Sequence, residues 1–234
     1  YFDSHIARII ELVGQAERSI DVAMYSMSDA SSRSALGDAI ARGVKVRVVF
    51  DSARDDRKDP EGSRSAALEA MGVDVRYINK IMHHKFAIVD GVQAEGDDPA
   101  LATLVTGSGN WSYGAATKYD ENTVIVTGDE ELSMRFQREF NFIWENSRSF
   151  EWNAELAYFE TRVIEETDVV DEAGVGVIFT SSNFTTYDSS RYGRTFRGRT
   201  GYNTVSDAIV NLIEGAQESI WIASGHMRSR PIAE

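Results

Sequence analysis

Residues 82–90 read Met82-His83-His84-Lys85-Phe86-Ala87-Ile88-Val89-Asp90, and they decide both the fold and the chemistry expected of this chain. The apolar run from Phe86 to Val89 predicts a buried β-strand. Because side chains two apart share one face of a strand, His83 and Lys85 point together, while His84 and Phe86 point the other way. The lysine offers positive charge to phosphate oxygens, and a neutral histidine can attack phosphorus. The stretch therefore predicts a site for a phosphate ester.

Helices and strands are predicted to alternate on both sides of this stretch. Apolar residues recur at helical or strand spacing, and glycines or capping residues separate the segments. The predicted helices cover residues 6–13, 34–42, 63–71 and 130–144, and the predicted strands cover residues 19–25, 44–50, 73–77, 85–89 and 123–126. This alternation predicts an α/β fold in which helices flank a mixed sheet.

A glycine-rich loop downstream of the strand adds polar groups suited to an anion. It reads Gly107-Ser108-Gly109-Asn110, and its small residues let backbone donors approach a ligand. Ser108 and Asn110 add side-chain donors, and Glu121-Asn122 follow before the next strand. A metal site built on His83 and His84 is not expected, because neighbouring strand residues diverge and the nearby lysine would repel a cation.

Together these residues resemble the HKD signature of the phospholipase D superfamily. The matching elements are His83-x-Lys85-x4-Asp90, the loop Gly107-Ser108-x-Asn110 and the pair Glu121-Asn122. The resemblance implies a phospholipase D-like fold and a phosphodiesterase that works through a phosphohistidine without metal or other cofactor. It makes His83 the nucleophile or the general acid, with Lys85 and Asn110 holding phosphate oxygens and Ser108 supporting them. Glu121 is expected to hydrogen-bond the histidine, and Asp90 to lie further back in an orienting role.

The end of the chain resembles its beginning. Shifting the sequence by about 200 positions pairs residues 5–23 with 205–223, which predicts a second helix and strand there. We expect a first lobe at residues 1–160, an acidic linker at 161–176 and the start of a second lobe at 177–234. Superfamily members place two HKD motifs against one phosphodiester, and this sequence holds one. The second motif is expected from a continuation of the chain, a companion fragment or a homodimer.

The substrate class is left open by the residues. A net charge of −13 disfavours nucleic acid and leaves a phospholipid or another phosphodiester as the expected partner. A segment with four arginines, Arg191, Arg194, Arg197 and Arg199, is either a flexible surface loop or a lip that grips phosphates. Three functions therefore remain: a phospholipase D or phosphatidyl transferase, an HKD-type nuclease acting on DNA or RNA, and a binding module whose second motif has decayed.

Overall fold

The computed structural model describes residues 4–151, 176–189 and 193–233, with backbone alone at residues 188, 189 and 193–195. The described helices are α1 (His5–Gln15), α2 (Ala30–Ala41), α3 (Ala53–Asp56), α4 (Arg64–Ala70), α5 (Tyr113–Thr117), α6 (Glu130–Glu145), α7 (Thr204–Glu214) and α8 (Arg230–Ala233). The described strands are β1 (Ser19–Met24), β2 (Lys45–Phe50), β3 (Asp74–Tyr77), β4 (Lys85–Val89), β5 (Thr103–Gly107), β6 (Thr123–Thr127), β7 (Arg148–Ser149), β8 (Phe184–Ser189) and β9 (Gly193–Gly198).

Seven of the described strands form one mixed sheet in the order β6-β5-β4-β1-β2-β3-β7. Strands β1, β2 and β3 run parallel, and β4 runs antiparallel to β1 at the centre of the sheet. Strands β5 and β6 continue the sheet from β4 in antiparallel pairs. The predicted mixed α/β sheet is confirmed, and the strand that carries Lys85 lies next to its central strand, β1.

Both faces of the sheet are covered by helices. On one face Ile9 and Leu12 of α1 pack with alternate residues of β1, such as Ile20 and Val22. On the other face Phe136 and Phe140 of α6, among others, pack against Phe86 and Ile88 of β4. Because successive strand side chains point to opposite faces, the residues of β4 divide between the two cores.

Buried polar side chains join the sheet to α6. The guanidinium of Arg47 donates to both carboxylate oxygens of Asp21, at 2.7 and 2.6 Å, and this pair is almost completely inaccessible to solvent. Gln93 and Gln137 each donate to Asp21 at 2.7 Å. Since a buried charge is costly unless it is paired and hydrogen-bonded, this network fixes α6 against the sheet.

Local capping explains where several helices begin. The side chain of Ser63 accepts from the N–H of Ala66 at the start of α4, as expected from the sequence. Asp129 accepts from Leu132 and begins α6. Helix α2 begins at Ala30, earlier than predicted, because Asp29 accepts from the N–H of Ser32 and caps it there.

Several strands differ from the prediction, since β5, β7, β8 and β9 were not expected. Strand β5 pairs with β4 and β6. A strand was expected at residues 219–223, but the structure assigns none there, and Trp221 is 93% exposed. A strand needs a neighbour to satisfy its backbone groups, and no described strand pairs with this segment. Helix α7 lies where the repeat predicts a helix, and the repeat itself stays a prediction. The expected linker at 161–176 lies almost entirely outside the described residues.

Candidate active site

His83 lies in the loop before β4, and hydrogen bonds hold the residues on either side of it. The N–H of Met82 donates to Asp51 Oδ1 at 2.7 Å, and the N–H of Tyr25 donates to the carbonyl of His84 at 2.9 Å. Tyr25 and Asp51 directly follow β1 and β2, so the ends of two parallel strands anchor this loop. The ring of Tyr25 packs edge-on against His83, with centroids 4.5 Å apart. The imidazole of His83 is itself exposed, where a ligand can reach it.

Lys85 lies directly against His83. Its Nζ is 3.2 Å from each ring nitrogen of His83 and donates to the His83 carbonyl at 2.9 Å. Burial lowers the pKa of His83, the charge of Lys85 lowers it further, and Asp51 opposes the shift. Burial also lowers the pKa of Lys85, against the opposing charge of Glu121. A neutral imidazole beside an ammonium can attack an anionic phosphorus centre that the ammonium holds.

The glycine-rich loop follows β5 and brings Ser108 and Asn110 to the same end of the sheet. The backbone of Gly107 has φ +151°, and a Cβ there would lie 2.2 Å from the carbonyl oxygen of Asn122, so only glycine fits. The side-chain oxygen of Asn110 accepts from the N–H of Ser26 at 3.1 Å. This contact leaves the amide N–H donors of Asn110 without an acceptor among the described residues.

Glu121 contacts Ser108, and its expected hydrogen bond to His83 is not formed among the described residues. The hydroxyl of Ser108 donates to Glu121 Oε2 at 2.6 Å, and the N–H of Asn122 donates to the same hydroxyl at 3.0 Å. The sheet order is the reason, because β5 lies between β4 and β6 and places Ser108 nearer to Glu121. Glu121 still acts on the site through its charge on Lys85.

Asp90 lies at the far end of β4, as expected for a residue set back from the site. Its carboxylate accepts from the backbone N–H groups of Glu17, Arg18 and Ser19, at 3.1, 2.7 and 3.1 Å. The guanidinium of Arg18 donates to the Asp90 carbonyl at 2.7 Å. Asp90 therefore fastens the end of β4 to the turn between α1 and β1.

Comparison with known proteins identifies the family. A family model described as "Cardiolipin synthase, PLD-like domain" matches residues 9–144, more than half of the chain. The chain belongs to the phospholipase D-like family. The resemblance expected from the HKD motif is thereby confirmed.

Curated relatives and a solved structure agree with this phospholipase D-like assignment. The mitochondrial cardiolipin hydrolases of Xenopus tropicalis and Danio rerio are 32% and 36% identical to the chain over 145 and 144 residues. These matches cover 61% and 60% of this chain and 62% and 57% of the relatives, so the chain spans about 60% of their length. The structure of NucT from Helicobacter pylori matches with a TM-score of 0.50 at 21% identity, over 62% of this chain and 89% of that one, which supports the fold alone.

In this phospholipase D-like motif the side chain of His84 points to the opposite face of the sheet from His83 and Lys85, as the strand alternation predicts. Its Nε2 lies 3.1 Å from Glu139 Oε1 on α6, and Glu139 is buried. The hydroxyl of Ser181 donates to the same carboxylate oxygen. No local pattern predicts Glu139, which is 55 residues from His84. Glu139 thus connects the peptide that carries His83 to the segment around Ser181.

Residues 193–198 of the arginine-rich segment form β9, which pairs antiparallel with β8 in a β-hairpin, so the flexible-loop interpretation is wrong for these residues. The hairpin packs on the core beneath α6 through Phe196, whose backbone exchanges two hydrogen bonds with the side chain of Asn79, at 2.7 and 3.2 Å. Asn79 belongs to the loop that leads to His83. The hairpin therefore lies beside the candidate site.

The structure describes two of the four arginine side chains. Arg191 lies outside the described residues, and only the backbone of Arg194 is described. Arg197 is exposed, and Arg199 donates to the carbonyl of Ser182 at 3.0 Å. Their role as a lip for the substrate stays a prediction.

The described part of the chain has neither a metal-binding cluster nor a membrane-spanning helix. Within it, no group of three histidines or carboxylates is arranged to hold a metal ion. None of its helices combines the length and apolar character needed to cross a bilayer.

Proposed function

We propose that this chain supplies one half of a metal-independent phosphodiesterase of the phospholipase D type. The observation that carries the proposal is the contact between Lys85 Nζ and the ring of His83, at the end of the sheet where the amide donors of Asn110 have no acceptor among the described residues. A nucleophile, a cation and a neutral donor at one end of a rigid sheet are what attack on a phosphodiester requires. Ser108 supports this arrangement through its hydrogen bonds to Glu121 and Asn122.

Cleavage proceeds in two displacements. A ring nitrogen of one histidine forms a bond to phosphorus, while the bond from phosphorus to the leaving alcohol oxygen breaks and a protonated histidine opposite gives that oxygen its proton. Water, or another alcohol, then attacks phosphorus, loses its proton to the second histidine and releases the first. His83 acts as the nucleophile or as the acid. Lys85 and Asn110 stabilise the charge on the phosphate oxygens in both transition states.

The opposing histidine comes from a second phospholipase D-like lobe. In-line displacement needs a nucleophile and a proton donor on opposite sides of phosphorus, and a single strand cannot place both. His84 points to the other face and binds Glu139. The partner lobe is a continuation of the chain, a companion fragment or a second copy.

A membrane phospholipid is the proposed substrate. Two observations support it: the curated relatives are named cardiolipin hydrolases, and a net charge of −13 repels a polyanion. The competing candidate is a nuclease, which the exposed Arg197 on the hairpin beside the site favours.

The test compares substrates in excess EDTA. The active assembly of this chain with its second lobe is incubated with cardiolipin vesicles, phosphatidylcholine vesicles and a single-stranded oligonucleotide, and released products are measured by mass spectrometry. The proposal expects lipid cleavage that persists in EDTA and is absent from His83→Asn. Cleavage of the oligonucleotide alone would support the nuclease, and activity that returns only with zinc or magnesium would contradict the mechanism.

A further inference from the structure

A cavity of about 290 Å³ adjoins His83, and no residue of the glycine-rich loop lines it. The loop before β4 forms one wall with Lys80, Ile81 and His83, and Ile143 of α6, Phe179 and Val205 are among the residues that close it. This volume is at the lower end for ligand sites, so it suits one small group rather than a whole lipid. One substituent of a phosphodiester held at His83 extends into this space.

Lys80 is the feature of this cavity that the proposed chemistry does not use. Its Nζ lies 3.3 Å from the ring centroid of Phe184, and the ammonium forms no hydrogen bond or ion pair with any described residue. Burial lowers the pKa of Lys80 to about 8, while the charge of Glu139 opposes the shift. Near pH 7 the side chain therefore still carries its charge. The rings of Phe184 and Phe196, the second at 5.0 Å, offset part of the cost of burying this ammonium. Its N–H donors still have no acceptor among the described residues, and an anion would supply one.

We infer that this cavity binds a second anionic group of the substrate, with Lys80 as the residue that recognises it. The inference rests on the proposed function, in that the first phosphate lies at His83. It narrows the substrate class to phosphodiesters in which a short substituent carries a further phosphate.

The lining favours a lipid head group over a nucleic-acid strand. Apart from Lys80 and the two histidines, the described lining residues are apolar or hydroxylic, and none is an arginine. A nucleic-acid strand is held by several cations along its backbone and by aromatic faces that stack on its bases. A single lysine in a small apolar cavity fits one isolated phosphate on a glycerol unit.

The test measures equilibrium binding, so it does not depend on turnover. Isothermal titration calorimetry at pH 7 gives the dissociation constants of glycerol 1,3-bisphosphate and glycerol 1-phosphate for the whole chain, for Lys80→Met and for Lys80→Arg. The matched control is Lys58→Met, since Lys58 is exposed and pairs with Asp55 away from the cavity. A single-stranded oligonucleotide is the third probe.

The wild-type chain is expected to bind the bisphosphate about tenfold more tightly than the monophosphate, because the second phosphate gains a charge-assisted hydrogen bond. Lys80→Met should abolish this preference, whereas Lys80→Arg and Lys58→Met should keep it. A wild-type chain without the preference, or a preference that survives in Lys80→Met, overturns the inference. Selective loss of oligonucleotide binding in Lys80→Met also overturns it, in favour of a nucleic-acid site. If the proposed function is wrong, the turnover assay shows it, because the wild type and His83→Asn then have equal turnover.

Discussion

Replacing Asp90 tests whether this residue of the HKD motif contributes to the stability of the fold rather than to catalysis. Its carboxylate accepts three backbone N–H groups, from Glu17, Arg18 and Ser19. Hydrogen bonds to a charged group contribute roughly 1.5–3 kcal/mol when buried, and about 1 kcal/mol each is a fair value at this partly exposed position. Asp90→Ala should therefore lower the free energy of unfolding by about 3 kcal/mol from lost hydrogen bonds.

Backbone geometry makes Asn the matched control for this change. Asp90 has φ +54°, which costs alanine about 1 kcal/mol more and which asparagine tolerates. Asp90→Asn keeps one acceptor oxygen, so we expect a loss of about 1–2 kcal/mol, against about 4 kcal/mol for Asp90→Ala.

Urea unfolding followed by circular dichroism measures these losses, and phosphodiester turnover is measured below the unfolding transition. The account expects turnover by Asp90→Asn to stay within about tenfold of the wild type, because the carboxylate lies at the opposite end of β4 from His83. Unchanged stability together with a loss of about a hundredfold or more would refute the structural role.

Three further predictions follow from the site and the core. Lys85→Ala should cost about 3 kcal/mol of transition-state stabilisation, seen as a loss of kcat/KM of about a hundredfold or more, and a loss below tenfold would remove Lys85 from the phosphate site. Burial raises the pKa of Glu69 to about 7, so the folded state binds more protons than the unfolded state between pH 4.5 and 7, and stability falls as pH rises through that window. Urea unfolding at pH 5 and pH 8 measures this fall in the free energy of unfolding. The fall should be about 1–2 kcal/mol smaller in Glu69→Gln than in the wild type, and an unchanged pH dependence would contradict the assignment. A verified monomer of this chain should lack turnover on bis(p-nitrophenyl) phosphate, and wild-type turnover from a monomer, shown by light scattering, would end the two-lobe mechanism.

Local patterns predicted the parts of the site that a single strand controls. The alternation along β4 placed His83 with Lys85 and placed His84 on the other face, where it binds Glu139. The caps at Ser63 and Asp129 were also predicted, because each depends on residues three positions apart.

Partners distant in sequence could not be predicted. Asp51 binds the backbone of Met82 across 31 residues and Glu139 binds His84 across 55, and no local spacing relates them. The contact between Glu121 and Ser108 depends on the order of strands in the sheet, and this order could not be predicted because β5 was missed. Strand β5 was missed because it has only two apolar residues, Leu104 and Val105, between threonines and a glycine-rich loop, which gives a weak signal.

The central claim is that His83 carries out metal-independent phosphodiester cleavage. The most direct measurement is the turnover of bis(p-nitrophenyl) phosphate in excess EDTA by the active assembly of the wild type, His83→Asn and the control His226→Asn, each with its fold checked by circular dichroism. His226 is exposed and belongs to no motif, so its replacement should leave turnover unchanged. The account predicts that His83→Asn retains less than about a hundredth of wild-type turnover. Turnover above that level in a folded His83→Asn protein, or wild-type turnover that EDTA abolishes, would contradict it.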